Sequence, residues 1–546
     1  MSHADWAVLS GWLIFLVSYG LWRGRGSDSV NRFLLAGKTM PWYAMGLSIM
    51  ATQASAITFI STTSQAYVDG MRFVQFYFGL PVAMVILSAT AVPIFHRAKV
   101  YTAYEYLEQR FDAKTRALVT GVFLISRGLQ AGLALSAPAI VLSVILGWPF
   151  RVTILVMGGL VIFYTSIGGI KAVTWADVQQ MIAIMASLGL ALVIAVHRLP
   201  GDVSFFDAVR IAGAAGRLNA VDLHFDWNDQ YNLWSGLIGG MFLALAYFGC
   251  DQSQVQRYLT GKSIGQSRLS LLFNAVGKIP VQFFILFLGA MVFVFFVFEK
   301  PPLLFHPVEL KQAQAKPEFS AIQQNFDRAF EARQAAARRA ASDPAAARNF
   351  ATAQQDMDAA RADAEELAGG SNDTNYIFLS FVTHSLPRGI VGLVIGVIFT
   401  AAMSAISGEI NSLATVTVID IYKRHIRRDA PDRHYLAASR VATIFWGIYA
   451  AGFASMATGF GALIVAVNQV GSLFYGGMLG VFILAFYVKR VGANGAFIGV
   501  LAGEAAIFAA AAFTQIAFLW YNVIGCVVVI AVALAVPRNT QLERHP

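Results

Sequence analysis

Long apolar segments recur along almost the whole chain, and this pattern restricts the fold more than any other feature of the sequence. A helix needs about 20 apolar residues to cross the ~30 Å hydrocarbon core of a bilayer. We predict thirteen such segments, with approximate limits 5–22, 41–67, 73–95, 115–146, 152–169, 175–197, 232–252, 267–298, 388–418, 435–457, 463–487, 493–513 and 516–536. This number of spans predicts an all-α polytopic membrane protein.

The composition supports a membrane location. Of the 546 residues, 57% are hydrophobic and 13% are charged, whereas a soluble protein carries about 25% charged residues. A single soluble core has too little interior to bury that much apolar surface. The first span has no basic region before it and no small-residue cleavage site after it, so we interpret it as a retained helix. We expect a multi-pass protein of the cell membrane, in particular a bacterial inner membrane.

Basic residues are concentrated in alternate short loops, and this orients the predicted helices. Two of these groups are Arg23, Arg25, Arg32 and Lys38, and Lys423, Arg424, Arg427 and Arg428. Loops rich in Lys and Arg remain on the cytoplasmic side, which puts the N-terminus outside and the C-terminus inside. The net charge of +9 is explained by this orientation, and we expect no nucleic-acid partner.

One segment, residues 299–375, is polar and Ala-rich with alternating charge. Within it, Ser342, Asp343 and Pro344 predict the end of one helix and the start of the next. We therefore expect an extracytoplasmic helical hairpin over about 319–341 and 344–368, as a solvated appendage rather than a binding module. The other predicted divisions are 1–298 (N-terminal helix, first repeat and start of the second), 376–490 (rest of the second repeat) and 491–546 (C-terminal helices and a short cytoplasmic tail).

The spans divide into two sets of five with opposite orientation, which is the signature of an inverted repeat. Each set should begin with a broken helix. In the first, six small or polar residues follow one another from Ala51 to Ala56; in the second, Gly236, Gly239 and Gly240 cluster. Irregular backbone at membrane depth occurs where it lines a site or is buried in protein. Packing of small residues between helices explains the same stretches equally well.

The sequence has no ATP-binding loop, dinucleotide fingerprint or nucleophile elbow in a convincing context, so we do not predict an enzyme. An ion gradient is the expected energy source. Sodium requires hard oxygen ligands, namely hydroxyls, carboxylates and carbonyls freed by helix unwinding. The ninth predicted span offers hydroxyls at Ser404, Ser407, Ser412, Thr415 and Thr417, although small-residue packing again is the alternative.

Ionisable residues within or beside the spans are costly in lipid and are functional candidates. They are Arg127, Asp177, Asp251, Lys278 and Glu409. Lys278 would face a substrate cavity or neutralise a carboxylate, and a pair between Arg127 and Glu409 is a hypothesis. Asp177 has a structural alternative as an acid that interacts with a helix dipole.

Five stretches together resemble the sodium:solute symporter family, which includes sodium/glucose, proline, iodide and multivitamin cotransporters. They are "NRFLLAGKTMPWYAMGLSIMATQASAITFIS", "AYEYLEQRF", "GGIKAVTWADVQQ", "YFGCDQSQVQRYLTGKS" and "INSLATVTVIDIY". The resemblance implies the leucine-transporter type of fold, a five-plus-five inverted repeat. It also implies a sodium ion, as the coupling ion, between the first and eighth core helices.

Carried over by motif, the family's sodium site implies backbone carbonyls at Ala51 and Ala54. On the eighth core helix it implies a carbonyl at Ala401 and hydroxyls at positions 404 and 405. Here Ser404 supplies the first hydroxyl, but Ala405 lacks the second. This departure should weaken sodium binding unless water or a nearby group replaces the lost oxygen.

The resemblance also implies roles for two groups close to that site. Ser407 is the nearby hydroxyl that we expect to compensate for position 405, and Asp177 matches an acid near the inner mouth. A second sodium site, found in some members, would use Asp177 with serines at positions 407 and 408. Because Gly408 replaces one of them, we do not expect that second site.

The family's substrate pocket lies beside the sodium site, between the two broken helices. The positions that would line it are Gln53, Ile57, Thr58, Gln75, Phe78, Ala244, Tyr247, Lys278 and Asn468. Ile57 and Ala244 replace polar positions of the sugar-transporting members. A less hydroxylated solute, or a carboxylate attracted by Lys278, is therefore plausible, and a sugar stays open.

We expect a sodium-coupled symporter that moves a small organic solute by alternating access. Its predicted partners are the solute (a sugar, carboxylate, vitamin or similar) and the lipid bilayer, with no obligate protein partner. A first alternative keeps the fold but couples it to protons, through Glu409 or Asp177, or works without sodium. A second, a transporter-like sensor, is disfavoured because the sequence continues for only about ten residues after the last span.

Overall fold

The fold is all-helical, as predicted. A computed structural model describes residues 1–23, 35–343, 346–370, 372–456 and 462–537. Within these residues the only β-type pairing is an isolated bridge between Met40 and Gly261. Several features used above lie outside the described residues, namely Arg25, Arg32, Pro344 and the tail after residue 537.

The helices of the described residues follow one another along the chain. They are α1 (His3–Arg23), α2 (Trp42–Gln53), α3 (Thr63–Asp69), α4 (Leu80–Ala89), α5 (Ala91–Ala98), α6 (Ala103–Arg110), α7 (Ala113–Leu146), α8 (Phe150–His197), α9 (Phe205–Ala214), α10 (Gly240–Gly249), α11 (Gln252–Leu259), α12 (Ile264–Phe298), α13 (Pro307–Gln314), α14 (Phe319–Ser342), α15 (Ala347–Ala368), α16 (Ile377–Ser385), α17 (Ile390–Val416), α18 (Asp432–Met456), α19 (Leu463–Tyr487), α20 (Ala493–Phe513) and α21 (Leu519–Ala535).

Local capping explains where several of these helices begin and end. The side chain of Asp112 accepts a hydrogen bond from the backbone N–H of Thr115 at 2.8 Å and starts α7. That helix stops at Gly147, whose φ of 67° is left-handed and favours glycine. Ser204 and Asp207 form a reciprocal capping box at the start of α9. These termini are therefore encoded by short stretches of sequence.

The helix predicted over 41–67 is broken where its small and polar residues cluster. Helix α2 ends at Gln53, and Ala54 leaves helical geometry with φ −94° and ψ 53°. The chain then makes a π-helical turn over Thr58–Thr62 and continues as α3. The interruption at Ala54 and Ser55 falls within the predicted stretch.

The second predicted break is not observed at the glycine cluster. The backbone stays helical through a π-turn over Ser235–Gly239 and runs on into α10, until Cys250 leaves helical geometry. The glycines instead permit close packing, because a Cβ on Gly240 would lie 2.5 Å from the carbonyl oxygen of Phe76. Close approach, rather than unwinding, is the physical reason for glycine at this position.

Eight helical segments of the described residues are long and apolar enough to cross a membrane, and three further apolar helices are shorter. The predicted spans 152–169 and 175–197 belong to one continuous helix, α8. Helix α2 is too short to be counted by length, whereas α3 belongs to the counted segment Thr58–Ala98. Counting helices by length therefore gives fewer spans than the thirteen apolar segments of the sequence. The number of thirteen spans stays a prediction.

The packing brings the broken helix against α17. Helix α17 packs on α1, α7 and α8, and it also contacts α2. From another side, α12 packs on α2 and α3; a Cβ on Gly289 of α12 would lie only 2.7 Å from that of Ala66. Helices α19, α20 and α21 form a further group of mutually packed helices. The interruption at Ala54 is thus enclosed by protein.

The segment 299–375 contains a helical hairpin, α14 and α15, which packs through Phe326, Phe330 and Met357. The side chain of Arg333 donates to the carbonyl oxygen of Phe296, and Gln334 donates to that of Phe298 at 3.0 Å. These carbonyls belong to the last turn of α12, where helical partners run out. The hairpin therefore caps the end of a core helix.

Candidate functional site

A buried carboxylate lies at the junction of four helices. The side chain of Asp177, on α8, accepts a hydrogen bond from the hydroxyl of Ser48 at 2.5 Å and from the guanidinium of Arg257 at 2.7 Å. The hydroxyl of Ser404, on α17, also donates to it. Asp177 therefore connects the first half of the broken helix to α11 and α17.

The arginine partner of Asp177 was not predicted. Both side chains of the Asp177–Arg257 ion pair are 1% exposed, so each charge needs the other to offset its loss of hydration. A Cβ on Gly408 would meet Nη2 of Arg257, and glycine at this position leaves room for the guanidinium. The only signal in the sequence was the arginine within the quoted stretch "QVQRYLTGKS".

The residues predicted to bind sodium lie at the broken end of α2 and on the neighbouring helix α17. Ala51 belongs to the last turn of α2, where carbonyl oxygens lack continuing helical partners, and Ala54 is the first residue after it. Ala401, Ser404 and Ala405 are buried on α17. Carbonyl and hydroxyl oxygens thus occur both at the end of α2 and on α17.

Ser407 is the predicted substitute for the hydroxyl missing at position 405. Its Oγ is buried and has no hydrogen-bond partner among the described residues. An unsatisfied buried hydroxyl costs roughly 1–3 kcal/mol. A cation or a water molecule bound there would remove that cost, so the donor set fits a hard cation.

A cavity lies beside the break. Among the predicted substrate positions, it is lined by Gln53, Ile57, Thr58, Ala244, Tyr247 and Asn468. Ala405 also lines it, which places the departure from the family pattern in the cavity wall. Lining residues that were not predicted are Phe76, Tyr77, Gln130 and Tyr475.

Two predicted substrate positions, Gln75 and Phe78, are not among the lining residues. The amide of Gln75 instead donates to the carbonyl of Tyr231 at 2.6 Å and accepts from the N–H of Asp222 at 2.9 Å. It therefore holds the loop before α10. The cause is a 3₁₀ segment over Gly70–Tyr77, whose tighter turn changes which side chains face the cavity.

Lys278 is also absent from the cavity lining. Its ammonium group is fully buried, has no hydrogen-bond partner among the described residues, and lies 5.0 Å from the ring centroid of Tyr77. The aromatic ring, which does line the cavity, is the neighbour of this charge. A cation–π contact of this kind stabilises an ammonium group away from water.

A second group of buried charges lies in the wall of the cavity. Arg127 donates to Oε1 of Glu409 at 3.1 Å, as hypothesised, and to the hydroxyl of Tyr475 at 2.6 Å. It also pairs with Asp251, a partner that was not predicted. Oε2 of Glu409 is buried and has no partner among the described residues. One guanidinium is thus shared by two carboxylates.

The sequence is similar to known transporters over most of its length. The model of the sodium:solute symporter family matches residues 33–321 and 356–503. The sodium-coupled monocarboxylate transporter 1 of Homo sapiens is 27% identical, over 92% of this chain and 72% of the relative. The sodium/glucose cotransporter of Vibrio parahaemolyticus is 27% identical, over 92% and 84%. The sodium/sialic acid symporter SiaT of Proteus mirabilis (strain HI4320) is 27% identical, over 98% and 95%.

The fold is similar to that of a solved transporter structure. A sodium-coupled sialic acid symporter in a substrate-bound, outward-open state superposes with a TM-score of 0.76. The alignment covers 98% of this chain and 97% of that one, at 24% sequence identity. The helical arrangement described above is therefore that of a known transporter fold.

Proposed function

Because the chain belongs to the sodium:solute symporter family, we propose that sodium binds at the break between α2 and α3. Membership of this family makes the chain a multi-pass membrane transporter rather than an enzyme, with sodium as its coupling ion. The proposed ligands are the carbonyls of Ala51, Ala54 and Ala401 and the hydroxyl of Ser404. Asp177 supplies negative charge to this region.

The observation that carries this proposal is the convergence on Asp177 at the break. Ser48 lies on α2, which ends at the break, and Ser404 lies on α17; both hydroxyls donate to the same carboxylate. Donation leaves the lone pairs of Ser404 Oγ available to a cation, whereas one lone pair of Ser48 Oγ accepts a hydrogen bond from Arg257. A sodium ion that accepts those lone pairs would hold α2 against α17.

Ala405 supplies no hydroxyl ligand to the proposed site, and we propose that the hydroxyl of Ser407 compensates for this loss. The unpartnered Oγ of Ser407 lies two residues after Ala405 on the same buried helix. We propose that it reaches the ion through water rather than directly. Sodium affinity would then be lower than in a site with two direct hydroxyl ligands.

We further propose that the cavity beside the break holds a small organic solute. The hydroxyl of Thr58 donates to the carbonyl oxygen of Gln53 at 2.6 Å, so the cavity wall and the break are parts of one unit. Sodium that orders the break also orders the wall. This link couples the two ligands, because each stabilises the backbone arrangement that the other needs.

The finer architecture is part of the same proposal. It comprises the five-plus-five inverted repeat, thirteen spans, an outer N-terminus and an inner C-terminus. Alternating access then consists of one repeat rocking against the other around the site. Similarity to symporters of monocarboxylate, glucose and sialic acid supports a small solute without selecting among these classes.

Sodium binding is testable without knowledge of the solute. In purified protein, NaCl should raise the melting temperature relative to equal KCl. In Ser404→Ala, the sodium affinity derived from this shift should fall at least about tenfold, or about 1.4 kcal/mol, because a direct ligand is lost.

Ser412→Ala is the matched control, since the hydroxyl of Ser412 donates to the carbonyl of Glu409 on the same helix. It should retain the sodium response of the unmodified protein. Equal stabilisation of the unmodified protein by NaCl and KCl would refute sodium binding. Unchanged sodium affinity in Ser404→Ala would refute the site.

A further inference from the structure

The chemistry of the cavity wall identifies a class of solute. We propose that the transported solute carries a positively charged nitrogen and that the carboxylate of Glu409 binds it. This inference rests on the proposed function, since it assumes that the cavity beside the helix break holds the solute.

The position of Glu409 is the first reason. Its side chain lines the cavity together with Ala405, one helical turn earlier on the same face of α17. The residue is 8% exposed, and Oε2 has no partner among the described residues. A carboxylate oxygen that is buried without a partner carries a large desolvation cost, which a bound cation would offset.

The balance of charge is the second reason. Arg127 pairs with both Asp251 and Glu409, so this cluster of three residues carries one surplus negative charge. The cation closest in sequence to Asp251, Arg257, already pairs with Asp177. The surplus charge is therefore left at the cavity wall.

Among the described residues, no other side chain on the cavity wall neutralises that charge. Lys278 is absent from the lining and contacts the ring of Tyr77 instead. The charge of Arg257 also acts on Glu409, but this guanidinium is already paired with Asp177. The cluster is also faced by the uncharged groups of Tyr475, Gln130 and Tyr247. The role suggested above for Lys278, attraction of a carboxylate, has no support from this arrangement.

Two amide groups of the cavity leave their carbonyl oxygens available to a ligand. The amide nitrogen of Gln53 donates to Asn274 at 3.3 Å, and that of Asn468 donates to the carbonyl of Ile464 at 2.7 Å. Each amide nitrogen keeps a second N–H, so the amides can also donate. An ammonium group that carries N–H donors can bind the two carbonyl oxygens, so the amides accommodate such a solute without selecting for it.

Aromatic side chains form much of the remaining wall. The cavity is lined by Phe76, Tyr77, Tyr247, Phe248 and Tyr475. Ring faces attract organic cations. Such a wall suits an organic ammonium group better than a second sodium ion, which requires hard oxygen ligands.

Matched probes test the inference. Choline is compared with its neutral carbon isostere 3,3-dimethyl-1-butanol, and L-proline with cyclopentanecarboxylate, by thermal shift of the purified full chain in NaCl. At least one ammonium probe should stabilise the protein more than its isostere. In Glu409→Gln, which keeps the shape and removes the charge, the affinity for that probe should fall at least tenfold, and Glu409→Asp should recover part of it.

Several results would overturn the inference. These are equal or greater stabilisation by the neutral or anionic isosteres, no stabilisation by any ammonium probe, or full ammonium affinity in Glu409→Gln. Loss of the sodium response in Glu409→Gln would assign the carboxylate to sodium instead and would also overturn it. The response of the unmodified protein to NaCl over KCl is a separate readout, so failure of sodium coupling and failure of the solute class are distinguishable.

Discussion

Asp177 has two roles that compete for one carboxylate. Its ion pair with Arg257 neutralises its charge inside the protein, while its contacts with Ser48 and Ser404 place it at the proposed sodium site. Breaking a buried pair from one side costs more than removing both charges, because the remaining charge is left without a partner. Substitutions of this acid will therefore reduce folding stability as well as sodium binding.

We predict that Asp177→Asn lowers the free energy of unfolding by about 3–5 kcal/mol, because it leaves the guanidinium of Arg257 uncompensated. The double variant Asp177→Asn with Arg257→Gln should lose less than the single variant. Denaturant or thermal unfolding of the purified protein measures both.

A surface pair provides the matched control for this prediction. Asp202 pairs with Arg338 at 3.1 Å, and its side chain is 59% exposed. Asp202→Asn should change stability by no more than about 1 kcal/mol. If the double variant were less stable than Asp177→Asn alone, the ion pair would not be the cause of the loss.

The hairpin of α14 and α15 lies largely between the two segments matched by the family, which end at residue 321 and resume at residue 356. Its second helix contains Glu365, whose pKa is raised to about 7, first by burial and then by the nearby charge of Asp373. Arg361 opposes this shift and Glu309 adds to it. This part of the hairpin is therefore sensitive to pH near neutrality.

We predict that the hairpin becomes less stable as pH rises from about 4.5 to about 7. In this window the folded hairpin keeps the proton on Glu365, whereas the unfolded chain, with the ordinary pKa of 4.5, releases it. Stability falls with pH where the folded state binds more protons. Hydrogen exchange of α14 and α15 at pH 5 and pH 8 measures the change.

Glu365→Gln removes the titrating group and is the control for this prediction. Exchange in this variant should depend less on pH after correction for intrinsic rates. His306 also has a shifted pKa, lowered mainly by burial. A pH dependence that is the same in Glu365→Gln would assign the effect to another group.

The charged contacts of the loops separate into two regions of the protein. The hairpin residue Arg338 pairs with Asp202, in the segment after α8. Arg424, from a predicted cytoplasmic loop, pairs with Glu108 of α6. Each contact joins loops that the distribution of basic residues assigns to the same side. The structure is therefore compatible with the predicted orientation, which an experiment must establish.

We predict that the hairpin faces the outside and the loop after α5 faces the cytoplasm. Thr352→Cys, on the exposed side of α15, should react with a membrane-impermeant maleimide in intact cells. Arg97→Cys, at an exposed position of α5, should react only after permeabilisation. Both native cysteines, Cys250 and Cys526, are buried and should contribute little labelling. The reverse pattern would invert the topology.

The sequence was sufficient for features that depend on local composition. Apolar segments predicted an all-helical membrane protein, because spanning length is a property of short stretches. The run from Ala51 to Ala56 located the expected helix break, with packing of small residues as an equal alternative. The quoted motifs were sufficient for the family. The pair between Arg127 and Glu409 was only a hypothesis from the cost of leaving either charge alone in lipid, and the structure contains this contact.

The tertiary structure was required wherever the answer depends on which distant side chains meet. Asp177 and Arg257 are 80 residues apart, and no local pattern records their contact. The turn geometry of Gly70–Tyr77 directs Phe76 and Tyr77, rather than Gln75, to the cavity. Hydropathy reports how much of a side chain is buried but not against what, and the charge left over at Glu409 is visible only after every partner has been assigned.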